Sequence, residues 1–212
     1  MKASNYKYLI AIIFIFFGEQ IAAEDRIVIN FESPPSLNQE AKLIQNIKNY
    51  NSVQSIENYL MQQNWIENFL IKSSFFGKFH QIFIQSKKPK YVWKDKFYID
   101  SQVSTFAYDG GYPDLIRLNM PLEYLTFWIK AENQYITLFN DLSLTIRSVG
   151  FQPAVGWYLI TSDALRVNLG DDLSNDTYQK LSFTLKYMFE NNLTPSIIDL
   201  RYKAGAALNY GK

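Results

Sequence analysis

The residues that could carry out chemistry are few, and their spacing gives little support to catalysis. His80 is the only histidine, and the sequence contains no cysteine. His80 lies within the alternating run from Phe79 to Ile84, a pattern typical of a strand that favours a structural or surface role for the imidazole. One histidine without cysteine also argues against a conventional zinc or copper site. We therefore predict no catalytic residue, no metal ligand and no cofactor.

Two neighbouring aspartates offer an alternative to the prediction that the protein has no catalytic residue. Asp171 and Asp172 follow Leu169-Gly170, and two neighbouring carboxylates could serve as general acid and general base. The interpretation that we favour is a solvated loop between a strand and a helix, where the carboxylates lie near the positive end of the helix. The sequence contains no nucleophile elbow, phosphate-binding loop or dinucleotide-binding fingerprint.

The end of the chain carries the clearest pattern. From Ile197 to Tyr202, apolar residues alternate with Asp199 and Arg201, which predicts a half-buried strand with both charged groups on one face. Gly205 can adopt the positive φ of a tight turn, so Ala206 to Tyr210 would return as the second arm of a hairpin. A last strand is usually the edge of a sheet, and an edge presents unpaired N–H and C=O groups that can capture a partner strand. The pattern leaves the alternative open, a closing hairpin that only completes the core, and this is the simpler interpretation.

Composition excludes several classes of function. The chain has 212 residues and a net charge of only +1, so there is no concentrated positive charge to indicate binding to nucleic acid. The absence of cysteine excludes a disulfide scaffold, and packing must therefore hold the fold together. We also predict no small-molecule substrate.

The N-terminal segment predicts export from the cytoplasm. Residues 1–7 contain Lys2 and Lys7 and form a short cytoplasmic tail, followed by an apolar segment over residues 8–23. The segment fits either a cleavable signal peptide or a short transmembrane anchor, and Glu19 interrupts the ~20 apolar residues that a spanning helix needs. In both cases the preceding lysines place the bulk of the chain on the far side of the membrane.

Two folded regions are predicted after this segment, both of the α+β class. Residues 26–87 show the order strand, helix, helix, strand, strand, with Ser55 as N-cap of the second helix and a turn at Gly77-Lys78. Residues 88–212 predict a mainly antiparallel sheet packed with helices and ending in an edge hairpin. In this region one helix starts at Pro121, and a later helix has Asp176 as its N-cap.

The final residues resemble the closing signature of the FtsQ/DivIB family of bacterial cell-division proteins. The resemblance rests on Asp199-Leu200-Arg201-Tyr202 and on the run from Gly205 to Tyr210. Further motifs follow in the order expected for the family: Asn64-Trp65-Ile66, Gln81-Ile82-Phe83-Ile84, Pro89, Trp93, Tyr98-Ile99-Asp100, Asn168-Leu169-Gly170 and Asp176-Thr177. The chain departs from the family pattern in having Asn64 in place of proline, Lys88 in place of an acidic residue, and Tyr210 where tryptophan is common.

The resemblance implies a single-pass protein of the cell inner membrane, with most of the chain in the periplasm at the division septum. It implies a POTRA-like domain over 26–87 and an FtsQ-type β domain over 88–212. Such a protein is a scaffold without enzymatic activity. It binds FtsB-like and FtsL-like proteins by strand addition and communicates with the septal synthase pair FtsW and FtsI.

The same resemblance implies the residues that would bind the partner. Arg201 would pair with a partner carboxylate, Tyr202 and Tyr210 would supply aromatic contacts, and small residues would admit the partner backbone. The full set of predicted partner-binding residues is Arg201, Tyr202, Ala204, Gly205, Ala206, Leu208 and Tyr210.

Two alternatives remain at this point. A periplasmic module with a POTRA domain could instead assist protein secretion or outer-membrane assembly, in which case the first domain would bind the client chains. A periplasmic hydrolase is the least supported alternative, because the sequence offers no catalytic arrangement around its one histidine.

Overall fold

The computed structural model describes residues 26–74, 79–203 and 205–211. The predicted N-terminal segment, the turn at Gly77-Lys78 and the predicted site residue Ala204 lie outside the described residues. Within these described ranges, no helix is both long and apolar enough to cross a membrane. The chain divides into two units, Met1–Pro89 with Asp100–Tyr112 and Lys90–Ile99 with Pro113–Lys212.

The first unit has the predicted order of strand, helix, helix, strand, strand. Its elements before Pro89 are β1 (Arg26–Ser33), α1 (Leu37–Ile47), α2 (Val53–Met61), β2 (Ile66–Ser73) and β3 (Phe79–Ser86), and its second segment, Asp100–Tyr112, holds one short strand, Thr105–Ala107. The three strands form one sheet in the order β1-β3-β2, in which β1 is parallel and β2 antiparallel to β3. The α+β class predicted for this region is therefore confirmed.

The helices of the first unit bury one apolar stripe each. Leu43 and Ile47 of α1 and Ile56 and Leu60 of α2 are buried, as expected for amphipathic helices on a sheet. The predicted cap of α2 was wrong by three residues. The N-cap is Ser52, because its side-chain oxygen accepts the backbone N–H of Ser55 at 3.2 Å.

The remaining elements complete the chain in order. They are β4 (Pro89–Trp93), β5 (Phe97–Asp100), β6 (Thr105–Ala107), β7 (Ile116–Asn119), a 3-10 turn (Leu122–Tyr124), α3 (Leu125–Asp141), β8 (Ile146–Gln152), β9 (Gly156–Thr161), β10 (Arg166–Gly170), α4 (Asn175–Glu190), β11 (Ile197–Asp199) and β12 (Ala207–Asn209). In the second unit the strands follow the order β12-β11-β10-β9-β8-β7-β4-β5 across one sheet.

This sheet is mixed, and it contains parallel pairs beside the antiparallel ones that the sequence predicted. Strand β7, which the sequence analysis missed, lies between β4 and β8 and is parallel to both. Strands β10 and β11 are also parallel, because α4 connects them as a crossover helix. The pairs β8–β9, β9–β10 and β11–β12 are antiparallel.

Two helices share the core of this unit with the sheet. Trp128 and Phe139 of α3 and Leu181 and Leu185 of α4 belong to the same buried cluster as the central strand residues. Helix α4 begins at the N-cap Ser174, whose side chain accepts the N–H of Thr177, and not at Asp176 as predicted. Asp176 lies in the first turn, where its charge favours the positive end of the helix.

Tyr135 places a polar hydroxyl group inside this apolar core. The hydroxyl of Tyr135 is buried and has no hydrogen-bond partner among the described residues. Because a buried polar group without a partner costs free energy, we expect Tyr135→Phe to leave the free energy of unfolding unchanged or to raise it by up to about 1 kcal/mol. Urea denaturation measures this, and a loss of stability would show that the hydroxyl has a partner, such as a bound water.

Candidate partner-binding site

The last strand forms one edge of the sheet in the second unit. Strand β12 pairs with β11 in antiparallel register, with Leu208 opposite Ile198, and no described strand lies on its other side. Strand β11, by contrast, is also paired with β10. The predicted edge hairpin is therefore confirmed.

The first arm of the hairpin is shorter than predicted, because β11 ends at Asp199 and not at Tyr202. The Asp199 carboxylate accepts the backbone N–H of Arg201 at 3.1 Å and turns the chain away from the sheet. The same carboxylate binds the Arg201 guanidinium through Nε at 2.9 Å and Nη2 at 2.6 Å. The guanidinium of this predicted site residue is thus already held by the chain itself.

The ion pair between Asp199 and Arg201 shifts the pKa of the Asp199 carboxyl, and this shift can be measured. The hydrogen bond from Arg201, with further favourable charge interaction, holds the pKa of Asp199 below its usual range. Any stability that the pair contributes is present above the pKa of the unfolded carboxyl and is lost as the pH falls through the folded-state pKa. We expect Arg201→Ala to raise the pKa of Asp199 in an NMR titration of its carboxyl carbon, and an unchanged pKa would contradict the pairing.

The loop between the two arms is held by a lysine that sequence reasoning missed. Lys180 of α4 donates hydrogen bonds from Nζ to the carbonyl of Leu200, at 2.6 Å, and to the carbonyl of Tyr202. A lysine on a helix is usually solvated, so the sequence carries no signal for this contact. It ties the predicted site residue Tyr202 to α4 through its backbone and leaves the ring exposed.

An apolar groove, here called the terminal groove, runs between α4 and the last strand. It has a volume of about 250 Å³ and is lined by Phe183, Thr184, Tyr187, Ala206 and Leu208. Phe183 and Tyr187 are one helical turn apart, and Phe183 is 72% exposed. Large aromatic side chains this exposed are typical of an interaction surface.

The backbone of β12 alternates between the paired side and the open side. The carbonyl of Asn209 accepts the N–H of Ser196 at 2.8 Å and therefore points towards β11. Because neighbouring residues of a strand direct their backbone groups to opposite sides, the N–H and C=O of Leu208 point to the open side. Leu208 thus presents backbone groups at the edge and its side chain at the terminal groove.

The other predicted residues lie along this hairpin. Tyr202 and Tyr210 are exposed, Ala206 is half-buried, and Gly205 adopts a positive φ of 77° in open space. The structure brings Ala206 and Leu208 together with α4 in the terminal groove. The α4 residues of this groove were not in the predicted set, although their spacing on the helix could have been recognised.

The candidate chemical residues occupy structural positions. His80 is buried, with Nδ1 at 2.8 Å from the hydroxyl of Ser73. Asp172 accepts the N–H of Ser174 and the hydroxyl of Thr177, each at 2.9 Å, and these hydrogen bonds hold its pKa below the usual range. The solvated-loop interpretation of this acidic pair is therefore supported at Asp172. Among the described residues, no group of three or more His, Cys, Asp or Glu side chains could hold a metal ion.

Comparison with known proteins gave two relatives, and no protein-family model matches the chain. The chain is 20% identical over 166 residues to the cell division protein FtsQ of Aliivibrio fischeri, an alignment that covers 74% of this chain and 62% of the relative. It is 23% identical over 139 residues to the cell division protein FtsQ of Vibrio cholerae, which covers 61% of this chain and 51% of the relative. The chain thus spans between half and two thirds of the length of each.

Proposed function

The two relatives support the assignment of this chain to the FtsQ/DivIB family, and on that premise we propose that it is a non-enzymatic scaffold of the cell-division machinery. It binds an FtsB-like protein, and with it an FtsL-like protein, by strand addition along β12. The observation that carries the proposal is the open edge of β12 directly beside the terminal groove.

In strand addition, the backbone contributes affinity and the side chains contribute specificity. An incoming extended segment would form main-chain hydrogen bonds to Leu208, which give affinity without reading sequence. Alternate side chains of that segment would point towards α4, where an apolar residue fits between Phe183 and Tyr187. The groove would thus select the partner by the spacing of its apolar residues.

The exposed residues around the edge would add contacts. Tyr202 and Tyr210 offer aromatic surface of the kind enriched at interface hot spots. A partner carboxylate would share the Arg201 guanidinium with Asp199, because the present ion pair uses Nε and Nη2. Gly205, in its open turn, would allow the partner backbone to approach closely.

The wider role follows from the family premise. A scaffold of this kind is anchored in the cell inner membrane by its N-terminal segment and exposes residues 26–212 to the periplasm at the septum. There it would hold the FtsB-like and FtsL-like proteins close to FtsW and FtsI and so help regulate the synthesis of septal peptidoglycan. We propose that residues 26–87 form the POTRA-like domain and 88–212 the FtsQ-type β domain.

Co-purification of the full chain after mild detergent extraction tests this function. We expect the FtsB-like and FtsL-like proteins of the same cell to accompany the chain, and membrane-bound chain to be recovered only with detergent. Recovery of outer-membrane assembly or secretion components in their place would contradict the proposal and favour the alternative POTRA-containing module.

A further inference from the structure

A second concave surface in the second unit shares no residue with the terminal groove. This surface, here called the α3 groove, has a volume of about 430 Å³. It is lined by one face of α3, by the aromatic residues Tyr124 and Trp157, and by residues 171–174. Its volume falls within the range of roughly 300–1,000 Å³ that is usual for ligand-binding clefts.

One wall of the α3 groove is a single face of helix α3. Phe127, Lys130, Ala131 and Gln134 follow the i, i+3, i+4, i+7 spacing that aligns side chains along one side of a helix. Ala131 is the smallest of them and is buried, so its short side chain leaves depth to the groove. Leu125, Trp128 and Phe139 belong to the buried core, and Ala131 lies where the groove face meets that core.

The aromatic residues of the groove are held by packing against one another. The ring of Tyr124 stacks on Phe151 with centroids 4.0 Å apart and meets the edge of Trp157 at 6.0 Å. Phe127 lies 6.2 Å from Tyr124 and is 58% exposed. Exposed aromatic faces carry partial negative charge and attract cations, most strongly where water is excluded.

The lining of the α3 groove also carries an excess of negative charge. Asp171 and Asp172 lie there, whereas Lys130 is the one basic residue among those that line the groove. Asp172 is fixed by its hydrogen bonds to Ser174 and Thr177, so its carboxylate cannot swing away. Aromatic rings and two carboxylates in the lining of one groove are complementary to a planar cation, since a guanidinium can stack on a ring and bind a carboxylate at once.

We propose that the α3 groove is a docking site for a basic peptide segment of a partner protein, with one arginine side chain between Phe127 and Asp171. Apolar residues next to that arginine would cover the rings of Tyr124 and Trp157. The proposal rests on the shape and charge of the α3 groove and is independent of strand addition at β12.

The test uses the full chain in mild detergent and two acetylated pentapeptide amides, Ser-Leu-Arg-Leu-Ser and the same peptide with citrulline in place of arginine. Citrulline keeps the shape of arginine and removes its charge. NMR of the tryptophan indole N–H groups follows binding at Trp157. We expect a saturable shift with the arginine peptide and binding of the citrulline peptide weaker by about tenfold or more.

Single substitutions in the two grooves show where the peptide binds. Phe127→Ala and Asp171→Asn should each weaken binding of the arginine peptide by about fivefold or more, because they remove the ring and the carboxylate that face the cation. Phe183→Ala, which removes another exposed aromatic ring but in the terminal groove, should leave peptide binding unchanged. Phe127→Ala should also leave capture of the FtsB-like protein unchanged, so failure at one site is distinguishable from failure at the other.

Several results would overturn the proposal. Equal binding of the two peptides would show an apolar groove with no preference for a cation. Absence of a saturable shift, or a shift unaffected by Phe127→Ala, would show that arginine does not dock there. Concentration-dependent shifts of Trp157 without peptide would assign the groove to contact with a second copy of the chain.

Discussion

Tyr202→Ala is expected to weaken binding of the FtsB-like protein by about thirtyfold or more while the domain stays folded. The ring of Tyr202 is 58% exposed, so its removal opens no cavity in the core. The loop between β11 and β12 should also keep its position, because Lys180 binds the backbone carbonyl of Tyr202 and not its side chain. The loss would therefore come from the interface itself, because tyrosine is among the residue types enriched at interface hot spots.

Calorimetric titration of the full chain with the periplasmic segment of the FtsB-like protein measures this loss. Phe127→Ala is the matched control, since it removes a ring that is also 58% exposed but lies in the α3 groove. Unchanged affinity in the Tyr202 variant would contradict the proposed site, and an equal loss in both variants would point to a general effect on the fold.

Gly156→Ala is expected to destabilise the second unit by about 3 kcal/mol or more. Gly156 begins β9 with a positive φ of 78°, and an added Cβ would lie 2.1 Å from the backbone carbonyl oxygen of Gly170. The contact is with backbone of the neighbouring strand β10, so no side chain can move aside to relieve it. Urea denaturation followed by circular dichroism measures the change.

Gly205→Ala is the matched control for this prediction. Gly205 has almost the same positive φ, 77°, but nothing lies within 4 Å of a Cβ added there. Its substitution should cost only the unfavourable backbone conformation, roughly 1–2 kcal/mol. Equal losses for the two variants would mean that β9 and β10 do not approach as closely as the structure shows.

The elements with strong local patterns were predicted well. The alternation from Arg26 to Phe31 and from Phe79 to Ile84, and the apolar stripes of the helices, each correspond to an observed element. The edge hairpin was also predicted, because Gly205 can form a tight turn between the alternating run from Ile197 and the small-sided run from Ala206.

The predictions that failed concern features that depend on contacts formed only in the folded chain. Strand β7 has only four residues, and its two parallel neighbours, β4 and β8, are what make it a strand. Both helix caps were misplaced within one turn, because several Ser and Asp residues near each start are equally suitable by type. Only the formed helix shows which side chain reaches the free N–H groups.

At the candidate site as well, the sequence missed the residues whose positions depend on the tertiary fold. The family resemblance of the final residues implied Tyr202, Leu208 and Tyr210, and their role in binding stays a prediction. It did not indicate Lys180 or Phe183, because α4 reaches the final hairpin only through the tertiary fold. The i, i+4 spacing of Phe183 and Tyr187 was the one available signal for the α4 side of the groove. The sequence also could not show that Asp199 would hold Arg201 and so fix the turn after β11.

Amide hydrogen exchange at Leu208, measured by NMR with and without the FtsB-like segment, tests the central claim most directly. The account predicts fast exchange in the free protein, because the N–H of Leu208 faces the open side of the sheet, and strong protection once a partner strand pairs with it. Ile198, which lies between two strands, should be protected in both states. Protection of Leu208 before any partner is added, or unprotected Leu208 in a saturated complex, would contradict strand addition at this edge.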